Sequence, residues 1–250
     1  MKYKFDLIQN GYTICPDSWG MKNESAVFHR IYYVYGGEAW CSHGGKEFRL
    51  TPGRLWLFPV MQPYTLWQNT ACPLDVLWFH AEIEGWLCLK LTSLEVTAGS
   101  SVFHLLEALK KLGEEPEHFE ELKKVFGVFL SLAAEQLPGL REVNGRMQSV
   151  LEYINRNTER ELTVEALAEY AGMDRSYFSR KFKSLFHMPP NQYLLAKRLN
   201  AAALRLTAGA SVYEAARAAG YADEKAFSRA FKNYMEIPPG EYRKSHIVQP

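Results

Sequence analysis

The chain of 250 residues is long enough for two domains, and its 47% hydrophobic and 23% charged content is that of folded protein, not of a disordered or fibrous chain. No apolar run reaches the roughly 18 residues needed to cross a bilayer, and Met1-Lys2-Tyr3-Lys4-Phe5-Asp6 does not read as a signal peptide, so neither membrane insertion nor secretion is expected. A net charge of +1 hides an asymmetry: residues 1–140 carry 12 Lys/Arg against 16 Asp/Glu, whereas residues 141–250 carry 17 against 12. An anionic partner would therefore meet the second part.

From Ser25 to about Glu84 the chain is rich in aromatic and β-branched residues cut by Gly and Pro. Strands are expected at Val27 to Tyr35, Ala39 to Ser42, Glu47 to Thr51, Arg54 to Pro59, Tyr64 to Gln68 and Leu74 to Glu82. His43-Gly44-Gly45-Lys46 and Pro52-Gly53 read as turns. Many short strands at this spacing argue for a sandwich or barrel. All four cysteines, Cys15, Cys41, Cys72 and Cys88, lie in this part without metal-site spacing, which suggests reduced thiols in a cytoplasm.

Residues 101–137 then change to helical periodicity. Val102, Leu105, Leu106, Leu109 and Leu112 line one helix; Gly113-Glu114-Glu115-Pro116 turns the chain; Leu122, Phe126, Phe129, Leu130 and Ala133 line a second. Leu137-Pro138-Gly139-Leu140 opens a linker, placed at residues 138–145.

The last hundred residues contain one pattern written twice. Ala171-Gly172, Phe178-Ser179-Arg180, Phe182-Lys183, Pro189-Pro190 and Tyr193 recur as Ala219-Gly220, Phe227-Ser228-Arg229, Phe231-Lys232, Pro238-Pro239 and Tyr242. Gly172 to Gly220 spans 48 positions and Phe178 to Phe227 spans 49, so one residue has been gained between glycine and aromatic, where only a loop tolerates it. Each copy reads as helix, glycine stop, short turn and second helix, at about 163–186 and 211–234. Thr163 and Asp174 suit helix N-caps, and Ser211 with Glu214 forms a capping box. Pro190 to about Leu206 has no internal Gly or Pro and predicts a stiff connector of roughly 25 Å. Two helix-turn-helix units so joined could enter successive major grooves, roughly 34 Å apart.

Residues 146–245 resemble the DNA-binding domain of AraC/XylS-type transcription regulators, most specifically over Ala215 to Tyr234 and Ile237 to Arg243. The resemblance implies DNA contacts from Ser176, Ser179 and Arg180 in the first motif and from Glu224, Lys225, Ser228 and Arg229 in the second. Arginine can bind guanine O6 and N7 bidentately, while lysine and serine suit phosphates or either base. Arg175, Lys181, Lys183 and Lys232 are read as backbone anchors. Glu224 departs from a basic surface and could accept from cytosine N4 or hold a neighbour. The opposing reading of each charge is a solvated helix face, whereas Phe178, Phe182, Phe227 and Phe231 belong to the core.

Leu50 to Pro59, with Gly36-Gly37-Glu38 and Trp78-Phe79-His80, resembles the cupin-like sensor barrel that precedes such domains. The expected architecture is thus α+β and multidomain: a cupin-like barrel over residues 1–100 with a helical hairpin at 101–137, then an all-α domain over 146–250 with two helix-turn-helix motifs joined by a long helix. Metal-binding cupins show H-x-H, a glutamate and a later histidine. Here Cys41-Ser42-His43 and Tyr64 stand at those places, so neither a metal nor a catalytic cofactor is expected.

The barrel reads as a receptor whose ligand, a sugar being one option, meets Arg30, Glu38, Trp40, His43, Trp56, Tyr64, Trp78 and His80. The alternative is that these aromatics only fill the barrel. The family commonly pairs subunits through the helices after the barrel, and Leu122, Phe126 and Phe129 are the expected seam of a homodimer. The expected function is a ligand-responsive transcription regulator, an activator working with RNA polymerase. Two rivals stay open: a metal-dependent cupin enzyme fused to a DNA-binding domain, and a regulator controlled by a protein partner.

Overall fold

The computed structural model describes residues 3–143, 145–157, 162–235 and 237–246. It divides into two compact units, Met1–Val143 and Asn144–Pro250.

In the first unit a five-stranded antiparallel sheet has the order β1 (Phe5–Ile14), β8 (Asp75–Ile83), β3 (His29–Gly36), β6 (Arg54–Leu57) and β10 (Thr92–Glu95). A four-stranded sheet has the order β2 (Met21–Glu24), β7 (Tyr64–Gln68), β4 (Ala39–His43) and β5 (Lys46–Arg49). The β4–β5 hairpin pairs His43 with Lys46 across Gly44 and Gly45, both at positive φ as the tight turn requires.

The central strands of the larger sheet are apolar on both sides because each side covers a different core. Tyr32, Val34, Trp56 and Val76 face the smaller sheet and pack with Cys41, Leu50, Phe58, Tyr64 and Leu66, forming the barrel interior. Residues of opposite parity, Ile31, Tyr33, Leu55, Leu57, Leu77 and Phe79, face α1 (Ser101–Gly113) and α2 (Phe119–Ala134). Fully burying a side chain of this size contributes about 1.5–3 kcal/mol.

Three expectations need correction. The strands β1, β2 and β10, and the pair β9 (Trp86–Cys88) and β11 (Leu140–Glu142), lie outside the six strands expected. β11 occupies the start of the expected linker, and its pairing with β9 ties residues through Glu142 to the first unit. Most consequentially, Leu122, Phe126 and Phe129 are 1%, 0% and 0% exposed, and they pack inside their own unit. Phe126 lies 5.2 Å from the Phe5 ring and 5.1 Å from that of Phe79. Side chains so covered are not a seam between subunits; on α2 the exposed apolar residues are Phe119, Val128 and Leu132.

The second unit runs α3 (Arg146–Arg156), α4 (Val164–Tyr170), α5 (Arg175–Phe186), α6 (Pro190–Thr207), α7 (Val212–Ala218), α8 (Glu224–Met235) and α9 (Pro239–His246). Four residues separate α4 from α5 and five separate α7 from α8, so the residue gained between glycine and aromatic does lie in a turn. Gly172 and Gly220 sit at φ 62° and 79°, conformations that cost most side chains roughly 1–2 kcal/mol. Met173 N–H returns to the Ala168 carbonyl, and Tyr221 N–H to that of Ala216, each at 2.9 Å. The caps match as well: Asp174 accepts from Ser176 and Tyr177, Asp223 from Lys225 and Ala226, Thr163 from Ala166, and Ser211 exchanges bonds with Glu214. Phe178, Phe182, Phe227 and Phe231 are all 0% exposed, and the connector α6 spans 18 residues.

Candidate DNA-reading faces and the barrel lumen

On α5 and α8 the buried phenylalanines recur every four residues, which turns the intervening positions outward. Ser176, Arg180 and Lys183 on α5 are exposed, as are Lys225, Arg229 and Lys232 at the same repeat positions on α8, while Ser179 and Ser228 are half-buried between them. Each set occupies one stripe about two turns long.

The first stripe borders a surface notch of about 320 Å³ lined by Arg175, Ser176, Ser179, Arg180 and Lys183 together with Pro189, Pro190 and Asn191. The notch thus adds the start of α6 to the five residues expected. Pro190 fits a first helical turn because it lacks an N–H, and the free amides that follow it favour a phosphate. Asn191 was not singled out from sequence, although the connector was expected to start at Pro190, as α6 does.

Arg175 is partly engaged already, its Nε lying 2.6 Å from Glu165 Oε1. Both side chains are more than half exposed, so the pair holds little energy and leaves the other guanidinium nitrogens available. Glu224 stands in the first turn of α8, where the helix dipole favours a carboxylate. Lys181 lies on the flank, its ammonium 5.7 Å from the Tyr177 ring.

The sheet register orders the barrel interior into rows. Arg30 lies opposite His80, and in the next row Trp56, Tyr32, Trp78 and Gly11 stand side by side. Arg30 is 5% exposed, donates from Nε to His80 Nε2 at 3.2 Å, hydrogen-bonds the Tyr64 hydroxyl and lies 3.7 Å from Glu24. Because His80 Nε2 accepts, its proton resides on Nδ1. Burial first, and Arg30 second, hold the histidine pKa well below its usual range. His80 Nδ1 and Trp56 Nε1 are shut off from solvent without a protein hydrogen-bond partner. Trp78 is fixed by donation to Thr13 Oγ1 at 3.1 Å and by its ring against Gly11.

Five of the eight expected ligand residues, Arg30, Trp56, Tyr64, Trp78 and His80, therefore share the lumen face. Of the other three, Trp40 and Glu38 lie elsewhere. Trp40 has the opposite parity to Cys41 and stacks on Trp67 across the outer face of the smaller sheet. Glu38 binds Arg49 at 2.7 Å and Asn69 at 2.9 Å in the surface turn before β4. His43 has the inward parity of Cys41 and pairs with Tyr64, so it closes that face at the end of β4, with Nδ1 3.1 Å from the Pro63 carbonyl. Glu24, absent from the expected set, supplies the lumen's carboxylate.

Among the described residues no group of three or more His, Cys, Asp or Glu side chains is arranged to hold a metal ion. Cys15, Cys41 and Cys88 are buried free thiols whose pKa burial pushes up to about 12, and Cys72 is exposed. No described helix is long and apolar enough to cross a membrane.

Residues 9–125 match the family model of the AraC-like ligand binding domain, and residues 167–245 match a helix-turn-helix domain model. ToxT from Vibrio cholerae shares the fold, with TM-score 0.67 and 13% identity over 97% of this chain and 98% of that one. An apo ToxT variant from Vibrio cholerae strain SCE256 gives TM-score 0.69 at 11% identity, covering 98% of both chains. The C-terminal domain of the response regulator yesN from Fusobacterium nucleatum is 32% identical over 39% of this chain and 96% of that one, with TM-score 0.37. No curated protein matches the chain. A ligand-binding domain followed by a doubled helix-turn-helix domain places this chain in the AraC family of transcription regulators.

Proposed function

We propose that this regulator reads double-stranded DNA through the exposed stripes of α5 and α8 and answers to a neutral polyhydroxylated small molecule, such as a sugar, bound in the barrel lumen. Arg180 and Arg229 contact bases, Ser176, Ser179, Lys225 and Ser228 contact bases or phosphates, and Arg175, Lys183 and Lys232 anchor the backbone. Glu224 accepts from a base amino group or orders its neighbours.

The observation that carries the ligand reading is the charge balance around Arg30. Its guanidinium already faces Glu24, and His80 is neutral, so the lumen offers donors at His80 Nδ1 and Trp56 Nε1, acceptors at Glu24 and Tyr64, and the face of Trp78. Hydroxyls that donate and accept, on a ring with an apolar face, suit that set. One ToxT structure is of the protein bound to unsaturated fatty acid, and another holds a naphthalenyl butenoic acid. A carboxylate of that kind gains most from an unpaired cation, which Arg30 is not.

Ligand binding shifts the regulator between arrangements only if its affinity differs between them. The family resemblance supports activation in concert with RNA polymerase, action in the cytoplasm and a homodimer. Pairing would then use exposed α2 residues such as Val128 and Leu132 in place of the buried triad. Calorimetry of the whole protein against pentoses, hexoses and long-chain fatty acids tests the effector. Heat with a sugar that Arg30→Met removes is expected, and heat with fatty acids alone would discard the neutral-ligand reading.

A further inference from the structure

The two copies of the repeat hold their second helices to the connector by different chemistry. On the first, Phe182 and Phe186 pack against Tyr193 of α6, with ring centroids 5.4 and 6.4 Å apart. On the second, Phe227 and Phe231 pack against Leu199, Ala202, Ala203 and Leu206 of α6, and one directional contact is added. Asn200, on α6 and only 4% exposed, donates from Nδ2 to the hydroxyl of Tyr234 on α8 at 3.0 Å.

The repeat makes the asymmetry explicit. Counting 49 positions back from Tyr234 reaches Leu185, which is 42% exposed and turned away from the core. At the same place in the pattern, the first copy leaves an apolar side chain in solvent, whereas the second reaches back into the connector. A buried amide must satisfy its polar groups, so it permits only settings of α8 in which the tyrosine hydroxyl stays in place. The apolar contacts of α8 with Ala202 and Ala203 carry no polar direction of their own, and the hydrogen bond adds one fixed point to that packing.

We infer that Asn200, acting through Tyr234, is a positioning residue that fixes the register of the second recognition helix, and thereby which base pairs Lys225, Ser228 and Arg229 reach. This rests on the reading that α8 contacts DNA. The bond lies on the side of α8 that faces α6, so the pair itself need touch no nucleotide.

The test uses the full-length protein and a duplex selected by it from a random pool, footprinted with hydroxyl radicals at matched occupancy. Arg180→Ala and Arg229→Ala mark which half of the footprint belongs to each motif. Tyr234→Phe removes a single oxygen and keeps the ring, so it folds even if Asn200→Leu does not. We expect either variant to blur or shift protection over the second-motif half, to leave the first-motif half unchanged and to lower affinity about tenfold. Equal weakening of both halves, or an unchanged footprint with only a lower melting temperature, would show a structural bond without a positioning role. If the wild-type protein selects no sequence and protects no DNA, the DNA reading fails and this inference fails with it.

Discussion

Truncating Phe126 to alanine separates two roles for α2 that the sequence could not. The ring is 0% exposed and has three aromatic neighbours, Phe5 at 5.2 Å, Phe79 at 5.1 Å and Phe129 at 5.7 Å. Removal of a buried phenylalanine costs about 3–5 kcal/mol, and loss of three such ring contacts places this site in the upper half of that range. Domains of this size are stable by about 5–15 kcal/mol, so the variant should remain folded but only marginally. All six tryptophans, Trp19 to Trp86, lie in the first unit, which makes intrinsic fluorescence a reporter of that unit alone. With an m-value of about 2 kcal/mol per molar urea, the midpoint should fall by about 2 M. Val128→Ala, at an exposed position on the same helix, should move it by less than about 0.3 M. An unchanged midpoint for Phe126→Ala, together with a halved mass in sedimentation, would refute the placement of this ring in the core.

His80 makes stability depend on pH in a stated direction. Its folded pKa is depressed, so between that value and the ordinary histidine value the unfolded chain binds more protons, and stability falls as the pH drops. The slope should approach about 1.4 kcal/mol per pH unit below roughly pH 6.5, and His80→Gln should flatten it in urea titrations at pH 7.5, 6.5 and 5.5. Gly220→Ala forces a side chain into φ 79° and should cost about 1–2 kcal/mol in thermal unfolding of the second unit; no loss would mean that the turn relaxes. Ser211→Ala removes the bond from Glu214 N–H and should cost about 1 kcal/mol, with Ser211→Asp restoring most of it.

What could be read from sequence followed the strength of local physics. The doubled motif was legible because glycine stops, side-chain caps and phenylalanine spacing all pointed the same way, and even the extra turn residue showed in the count. β1 was missed because its alternation breaks at a bulge between Leu7 and Gln9 and it contains Gln9, Asn10 and Gly11. β11 was missed because it follows Pro138-Gly139 and has only three residues, its existence depending on a partner about fifty positions away.

In the barrel the error was one of parity. The inward residues of β4 are the small Ala39 and Cys41, and Trp40 between them looks more like core than they do. Likewise, the apolar stripe of α2 was correctly located but its partner was not. Burial against its own sheet and burial against a second subunit leave the same periodicity in a sequence.

The central claim, that two differently equipped helices of one domain read DNA together, is tested most directly by the affinity of residues 146–250 for a selected duplex. The account predicts that Arg180→Ala and Arg229→Ala each cost about 1–3 kcal/mol and relax sequence preference at different base pairs. Unchanged affinity and preference in both variants would contradict it.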